Sequence, residues 1–464
     1  MKRPLILIMM LMNCNLALLS CAKEKALTFD SKGEQQTLTM LDGSEVSYIA
    51  YTDIPYVTNI EDKQYQTLNF FVPEGATQKS AILLRTYVGG YMAASARNPS
   101  ATDATGRALA EGLCVCIPGS RGNNSVQDGV YTGKAPRGLL DLKAAVRYLR
   151  FNDKRMAGSA DRIITDGTSA GGAMSALLGA TANHPDYEPY LKAMGAAQAR
   201  DDVFASVCYC PIIDLDHADA AYEWLYRTQR GDSELSDALA RQFDHYINML
   251  ALRHPKTDER LTSDNYMEYL KSWLLASASR FVQEGGAIDD SLGFSFYMSY
   301  PRTPGHRPGG PRFIRAKAIK SDVASDVDMD RYLAFIVSRQ ALKSCPAFDN
   351  LESPECSVFG DAEGNPAHFT GKDVSGEVRH RVHLMNPMNY ISDPKSTVAA
   401  HWYIRHGASD RDTAFPIPVN LATKLMNEGK DVDFALPWNR RHEGDYNLDN
   451  LFRWIHSILS SSHK

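Results

Sequence analysis

The spacing of apolar residues changes period several times along the chain. Val46–Ala50, Tyr65–Val72 and Ser80–Tyr87 are short apolar runs that predict strands, and the second ends in the turn signal Pro73-Glu74-Gly75. Most of residues 22–50 is polar and predicted to lie at the surface. Ala104–Glu111 predicts a short helix, Cys114–Pro118 a buried strand and Ser120–Asn124 a loop. Leu139, Leu142, Ala145, Val146 and Leu149 recur at helical spacing, so Gly138–Leu149 is expected to be a helix. Further strands are expected at Ile163–Thr165 and Val203–Ile213. Strands that alternate with helices indicate a parallel sheet.

From about Asp214 to Asp393 this alternation is lost. Trp224, Tyr226, Phe243, Tyr246, Tyr266, Tyr269, Trp273, Phe294, Phe296 and Tyr297 are scattered over sequence that reads as helical or irregular. The basic, Pro- and Gly-rich run Pro301–Arg315 reads as a solvated loop. The pattern resumes with a strand at Thr397–Ile404, a helix at Pro416–Asn427, a strand at Val432–Leu436 and a helix at Leu448–Ser460. The expected fold is α/β: a mostly parallel sheet flanked by helices and split by a large cap. Residues 21–213 carry its first part, 214–393 the cap and 394–464 the second part.

The N-terminus reads as an export signal. Lys2 and Arg3 precede an apolar run, Leu5–Leu19, broken by Asn13 and Asn15. That is short of the roughly 20 residues a membrane span needs and suits a secretory signal covering residues 1–20. Leu18-Leu19-Ser20-Cys21 resembles a bacterial lipobox, which implies lipidation at Cys21 and a chain exported and anchored to the cell envelope. The net charge of −5 argues against nucleic acid as a partner. Cys114 and Cys116, and likewise Cys208 and Cys210, sit in apolar runs as Cys-x-Cys, which on a strand puts both thiols on one face. Zinc ligation favours Cys-x-x-Cys on a turn, so these are expected to be buried thiols, and no metal or cofactor is expected. Cys345 and Cys356 lie in polar, Pro-containing sequence that would permit a disulfide outside the cytoplasm.

The chemistry centres on Ile163-Ile-Thr-Asp-Gly-Thr-Ser-Ala-Gly-Gly172. Gly-x-Ser-x-Gly between a β-branched run and a helix rich in Ala and Gly is a nucleophile elbow, with Ser169 as nucleophile. The start of that helix offers the Ala170 amide to an oxyanion, and Gly90 in Val88-Gly-Gly-Tyr91 is the expected second donor. Many hydrolases carry a histidine before such a Gly pair; here Tyr87 or Val88 stands in its place. On the α/β-hydrolase fold the triad follows in the order Ser, Asp, His. Asp410, after one late strand, and His442, after the next, fill the remaining roles. Their competitors are Asp412, His406 and His456.

Gly167-Thr-Ser-Ala-Gly-Gly172, Ile404-Arg-His-Gly-Ala-Ser-Asp-Arg-Asp-Thr413 and the late His442 together resemble the bacterial tannases, the tannin acyl hydrolases. Ala341-Leu-Lys-Ser-Cys-Pro-Ala-Phe-Asp349, Pro354-Glu355 and Phe359-Gly360 add to the likeness. The resemblance implies hydrolysis of gallate esters and galloyl depsides. It also implies that Lys343, Glu355 and Asp412 hold the galloyl hydroxyls of a small phenolic ester substrate. Other readings are an esterase for other plant phenolic esters, such as feruloyl esters, a prolyl-oligopeptidase-type peptidase, which the absence of propeller repeats disfavours, and a lipid-anchored, non-catalytic binding protein that has kept the fold.

Overall fold

Strands buried on both faces need apolar residues at every position, and the central strands of this chain have them. The computed structural model describes residues 26–30, 32–231, 233–299, 302–307, 310–315 and 319–461. The signal segment and Cys21 lie outside the described residues. Nine strands form the main sheet: β1 Glu34–Thr39, β2 Glu45–Pro55, β3 Thr67–Pro73, β4 Ile82–Arg85, β5 Cys114–Pro118, β6 Ile163–Thr168, β7 Ala205–Tyr209, β8 His401–Arg405 and β9 Asp431–Ala435. Their order is β1-β2-β3-β5-β4-β6-β7-β8-β9. β1, β2, β3 and β5 pair antiparallel in succession, while β5-β4-β6-β7-β8-β9 runs parallel. The sheet is thus mostly parallel, as expected.

Alternation along the strands divides the core. Ile82, Leu84, Cys114, Cys116, Trp402 and Ile404 pack with Leu139, Leu177 and Leu421 of helices Arg137–Phe151, Ala170–Ala180 and Pro416–Asn427. Leu83, Val115, Ile164, Val207 and Tyr403 face Ala108, Leu451, Phe452 and Ile455 of helices Ala104–Ala110 and Leu448–Ser461. β1 was not expected, because it is an edge strand whose residues are exposed or half-buried and carry no apolar alternation. β7 ends at Tyr209, short of the expected Ile213, because Cys210 takes φ +36°. Cys114 and Cys116 share a face, but this kink takes Cys210 off the face that holds Cys208.

Between β7 and β8 the chain forms helices Leu215–Arg230, Glu234–Leu250, Tyr266–Gln283, Met329–Arg339, Pro354–Phe359 and Gly376–Leu384. It also forms two antiparallel pairs, Phe294–Ser299 with Ile319–Val327 and Arg302–Arg307 with Gly310–Arg315. This corrects the reading of the region as helical or irregular and of 301–315 as a loop. Phe294 and Phe296 are buried and Ser295 and Tyr297 exposed, a strand period hidden by an aromatic on the outer face. Pro304 and Pro311 are tolerated because both strands of a two-stranded ladder are edges. No described helix is long and apolar enough to cross a membrane.

The inserted segment is bonded directly to the second part of the sheet. The Tyr332 hydroxyl donates to the Ala408 carbonyl, and Tyr226 to the Asp410 carbonyl at 3.4 Å. Tyr266 donates to Asn420 Oδ1 at 2.5 Å, and the Tyr269 and Thr423 hydroxyls lie 2.7 Å apart.

The loop after β5 hangs on a buried ion pair. Asp141 accepts from Arg121 Nε at 2.9 Å, its NH2 at 2.9 Å and its backbone amide at 2.8 Å. Both side chains are fully buried. Removing one partner strands a buried charge, so Asp141→Ala should cost about 3–5 kcal/mol of unfolding free energy. Denaturant titration checks this, and a loss under about 1 kcal/mol would mean that water or Glu61 replaces the carboxylate.

Candidate active site

The elbow is built by close approach. A Cβ on Gly167 would overlap the Gly171 carbonyl, and one on Gly171 would stand 2.9 Å from the Val88 carbonyl oxygen. Only glycine lets helix Ala170–Ala180 cross the end of β6 this tightly. The crossing holds Ser169 at φ 61°, ψ −124°, a region that residues with side chains rarely occupy. The Gly89-Gly90 loop follows Val88 along the start of that helix, and Gly90 has φ +54°. The Gly90 and Ala170 amides have no hydrogen-bond acceptor among the described residues. Two free donors beside a raised serine are what an oxyanion requires.

His442 Nε2 lies 2.7 Å from Ser169 Oγ, and its Nδ1 lies 2.8 Å from Asp410 Oδ2. A carboxylate only accepts, so the ring proton sits on Nδ1 and leaves Nε2 to accept from the serine hydroxyl. Asp410 Oδ1 accepts from the Asp412 amide at 2.8 Å. Burial alone would push His442 toward its neutral form. The hydrogen bond to Asp410, and then the contact with Cys210, outweigh burial and raise its proton affinity. Burial opposes ionisation of Asp410, but His406, His442 and the Asp412 amide hold it below the usual carboxylate range. His406 stands behind Asp410, with Nδ1 3.6 Å from Oδ2, and burial pushes its proton affinity down. Its two nitrogens have no hydrogen-bond partner among the described residues. His456 faces Glu111 at 3.1 Å, on the other side of the sheet.

Residues that the sequence pattern did not flag hold the His442 loop. Arg85, at the end of β4, donates to Asp166 at 2.5 Å and to both oxygens of Asp445 at 3.1 and 2.5 Å. Asp445 also accepts from the Ala104 amide at 3.3 Å. Asp166 lies on the elbow strand and Asp445 three residues past His442, so one guanidinium ties the two loops together. A Cβ on Gly444 would overlap the Thr168 side chain. The only local signal was the position of Asp166, immediately before Gly167.

Of the residues assigned to the ring-binding role, Asp412 adjoins Asp410, Glu355 adjoins the Gly90 loop and Lys343 lies near Glu355. Glu355 is buried on helix Pro354–Phe359, which Asn123 pins to the Gly90 loop. Asn123 Nδ2 donates to the Gly90 carbonyl at 3.1 Å and the Pro354 carbonyl at 3.3 Å. Burial raises the Glu355 carboxyl above its ordinary range, and the nearby Lys343 ammonium opposes it. Lys343 places that ammonium 4.2 Å from the centre of the Phe348 ring, and its amide donates to Tyr222 Oη at 3.2 Å. Asp412 is half-buried and pairs with Arg411 at 3.1 Å. The Lys343–Asp349 loop is itself built on Asp219, which accepts from the Ala347, Phe348 and Asp349 amides at 2.6, 2.8 and 2.9 Å. Cys345 and Cys356 are free thiols, not a disulfide. Cys356 is buried and donates to Asp349 Oδ1 at 3.3 Å, which removes it from pairing.

The His442–Asp410 contact should leave a signature in stability. A raised histidine stabilises the fold fully below its unfolded value, about 6.5, and that contribution is lost as pH rises through the folded value. A lowered aspartate contributes above about 3.9 and loses its contribution as pH falls through its folded value. The melting-temperature gap between the wild type and Asp410→Asn should therefore be widest between about pH 4 and 6.5 and shrink as pH rises further. A gap that does not shrink above about pH 6.5 would show that the Asp410 contact does not raise the proton affinity of His442.

Comparison with known proteins places this geometry in a family. The BD-FAE family model matches residues 68–257. A stretch of 56 residues, 12% of this chain, is 45% identical to Esterase LipC of Mycobacterium tuberculosis (strain ATCC 25618 / H37Rv) and spans only 14% of that protein. Tannase from Fusobacterium nucleatum aligns over 93% of this chain and 99% of its own, at 34% identity and a TM-score of 0.81. A tannin acyl hydrolase solved in complex with ethyl gallate aligns over the same shares, at 34% identity and a TM-score of 0.79. With that identity over nearly the whole of both molecules, on an α/β-hydrolase sheet, this chain belongs to the bacterial tannase, or tannin acyl hydrolase, family.

Proposed function

We propose that this chain is a serine carboxylic-ester hydrolase that releases gallic acid from galloyl esters and depsides through an acyl-enzyme on Ser169. The observation that carries the reading is the continuous line Ser169–His442–Asp410, with contacts of 2.7 and 2.8 Å, in a tannase-family chain. Ser169 Oγ attacks the ester carbonyl while His442 Nε2 takes its proton. Asp410 keeps the imidazole in the right tautomer and stabilises the cation that forms. The contact that raises the proton affinity of His442 therefore favours the charged state on the reaction path. The Gly90 and Ala170 amides receive the oxyanion. His442 then returns the proton to the leaving alcohol, and water, activated by the same base, releases the acid.

Gallate carries three adjacent phenolic hydroxyls, which carboxylates accept from and an ammonium donates to. Glu355, Lys343 and Asp412 supply those groups. The Arg411–Asp412 ion pair favours a second, broader reading as an esterase of other plant phenolic esters, because it already occupies one carboxylate. The lipobox supports export and anchoring to the cell envelope through Cys21.

Ser169→Ala should lower hydrolysis of methyl gallate by about 10⁴-fold or more without altering the circular dichroism spectrum. Activity above a few per cent of wild type would remove Ser169 from the mechanism. Selectivity tests the ring contacts. Methyl gallate should be cleaved far faster than methyl benzoate, because a site built for hydroxyls is left with unpaired charges by an analogue that lacks them. Asp412→Ala should slow the gallate reaction by the roughly 1.5–3 kcal/mol of a charge-assisted hydrogen bond and leave benzoate nearly unchanged. Equal slowing of both esters would assign Asp412 to the support of Asp410 instead.

A further inference from the structure

The chemistry above leaves Cys210 unused. Its thiol is buried, on the opposite face of the sheet from Cys208. The kink at φ +36° turns it toward the His442 loop, where Sγ donates to the Glu443 carbonyl at 3.5 Å. Cys210, Asp410 and His442 each offer a ligand atom, and the three atoms lie within 4.8 Å of one another. Two other described triplets reach the same spacing, but their carboxylates accept from more donors outside the triplet than Asp410, which accepts there from the Asp412 amide alone. Asp349 accepts from Cys356 Sγ and the Phe369 and Thr370 amides. Asp214 accepts from Tyr246 and Asn386 and pairs with His217.

A thiolate, an imidazole and a carboxylate form the donor set of a tetrahedral zinc site with one open position. Bonds of about 2.0–2.3 Å put neighbouring ligands roughly 3.5 Å apart, so small side-chain shifts close the site. Thiolate selects soft or borderline cations over Mg²⁺ and Ca²⁺. The His442 side chain keeps 20% of its surface exposed, which gives a cation a way in.

We propose that Cys210, His442 and Asp410 form a binding site for a thiophilic divalent cation of the Zn²⁺ or Cd²⁺ type, and that its occupancy switches the enzyme off. The cation bonds to sulfur, an imidazole nitrogen and a carboxylate oxygen. The thiol proton leaves to water, the neutral imidazole keeps its one proton on the nitrogen that does not ligate, and nothing is oxidised or reduced. A metal-bound His442 cannot accept the Ser169 proton. The inhibitory part of this inference rests on the triad reading; the binding part does not.

The test uses the full chain, with zinc chloride and cobalt chloride as probes. Co²⁺ should give a thiolate-to-cobalt charge-transfer band with the wild type, and Zn²⁺ should inhibit ester hydrolysis reversibly, with recovery in EDTA. In Cys210→Ala the band should vanish. Zinc inhibition, expressed against the same variant's rate in EDTA, should need at least about tenfold more metal, because even the outer partners of metal ligands carry about 10–100-fold in affinity. Cys210→Ser serves where the alanine variant fails to fold. Absence of the cobalt band in the wild type, or equal zinc sensitivity of wild type and variant, would overturn the site. Absence of hydrolysis in EDTA would instead overturn the esterase reading, while the cobalt band would still report the site.

Discussion

The whole arrangement depends on how closely helix Ala170–Ala180 crosses the edge of the sheet. With no side chain at Gly167 or Gly171, the helix start comes within contact of the β6 end and the Val88 carbonyl. The price of this crossing is the backbone of Ser169, whose region of φ/ψ space costs of order 1–3 kcal/mol. Every residue of the helix is buried, so packing on both sides over-determines the strained turn. The same crossing raises the serine hydroxyl above the sheet and leaves the Ala170 amide free beside it.

His442 must then be brought to this point from 273 residues away. Parallel strands achieve this, because β6, β7, β8 and β9 are neighbours in that order and all their following loops open on one edge. Strand order alone leaves a loop free to move by several ångströms. Arg85 removes that freedom by holding Asp166 of the elbow strand and Asp445 of the histidine loop at once. From the other side the inserted segment fixes the aspartate loop through Tyr332 and Tyr226 hydroxyls on the Ala408 and Asp410 carbonyls. The inserted segment thus supports the loop that carries Asp410.

The later part of the inserted segment is organised by carboxylates more than by periodic apolar faces. Asp219 gathers three consecutive amides, and Asp349 two amides, the Thr370 hydroxyl and the Cys356 thiol. Bonds of this kind join residues 128 to 130 positions apart in the case of Asp219 and leave no periodic trace in the chain. That is why the sequence of this region reads as irregular, and Asp349 is also the partner that takes Cys356 away from Cys345.

The parts legible from the chain alone were those set by neighbours a few residues away. Apolar runs marked β3 to β9, helical spacing marked Arg137–Phe151 and Pro416–Asn427, and the Gly-x-Ser-x-Gly turn marked Ser169. The order Ser, Asp, His then singled out Asp410 and His442, and the structure brings these two to Ser169. Tertiary structure alone decided that His406 sits behind Asp410 and His456 across the sheet, that Arg85 and Asp445 clamp the loop, and that Cys210 turns toward His442. Local periodicity reports which face of an element is buried. It carries no information about which charged or polar groups from distant segments share that buried space, because their mutual contacts, and the cost of leaving them unpaired, exist only once the sheet has closed.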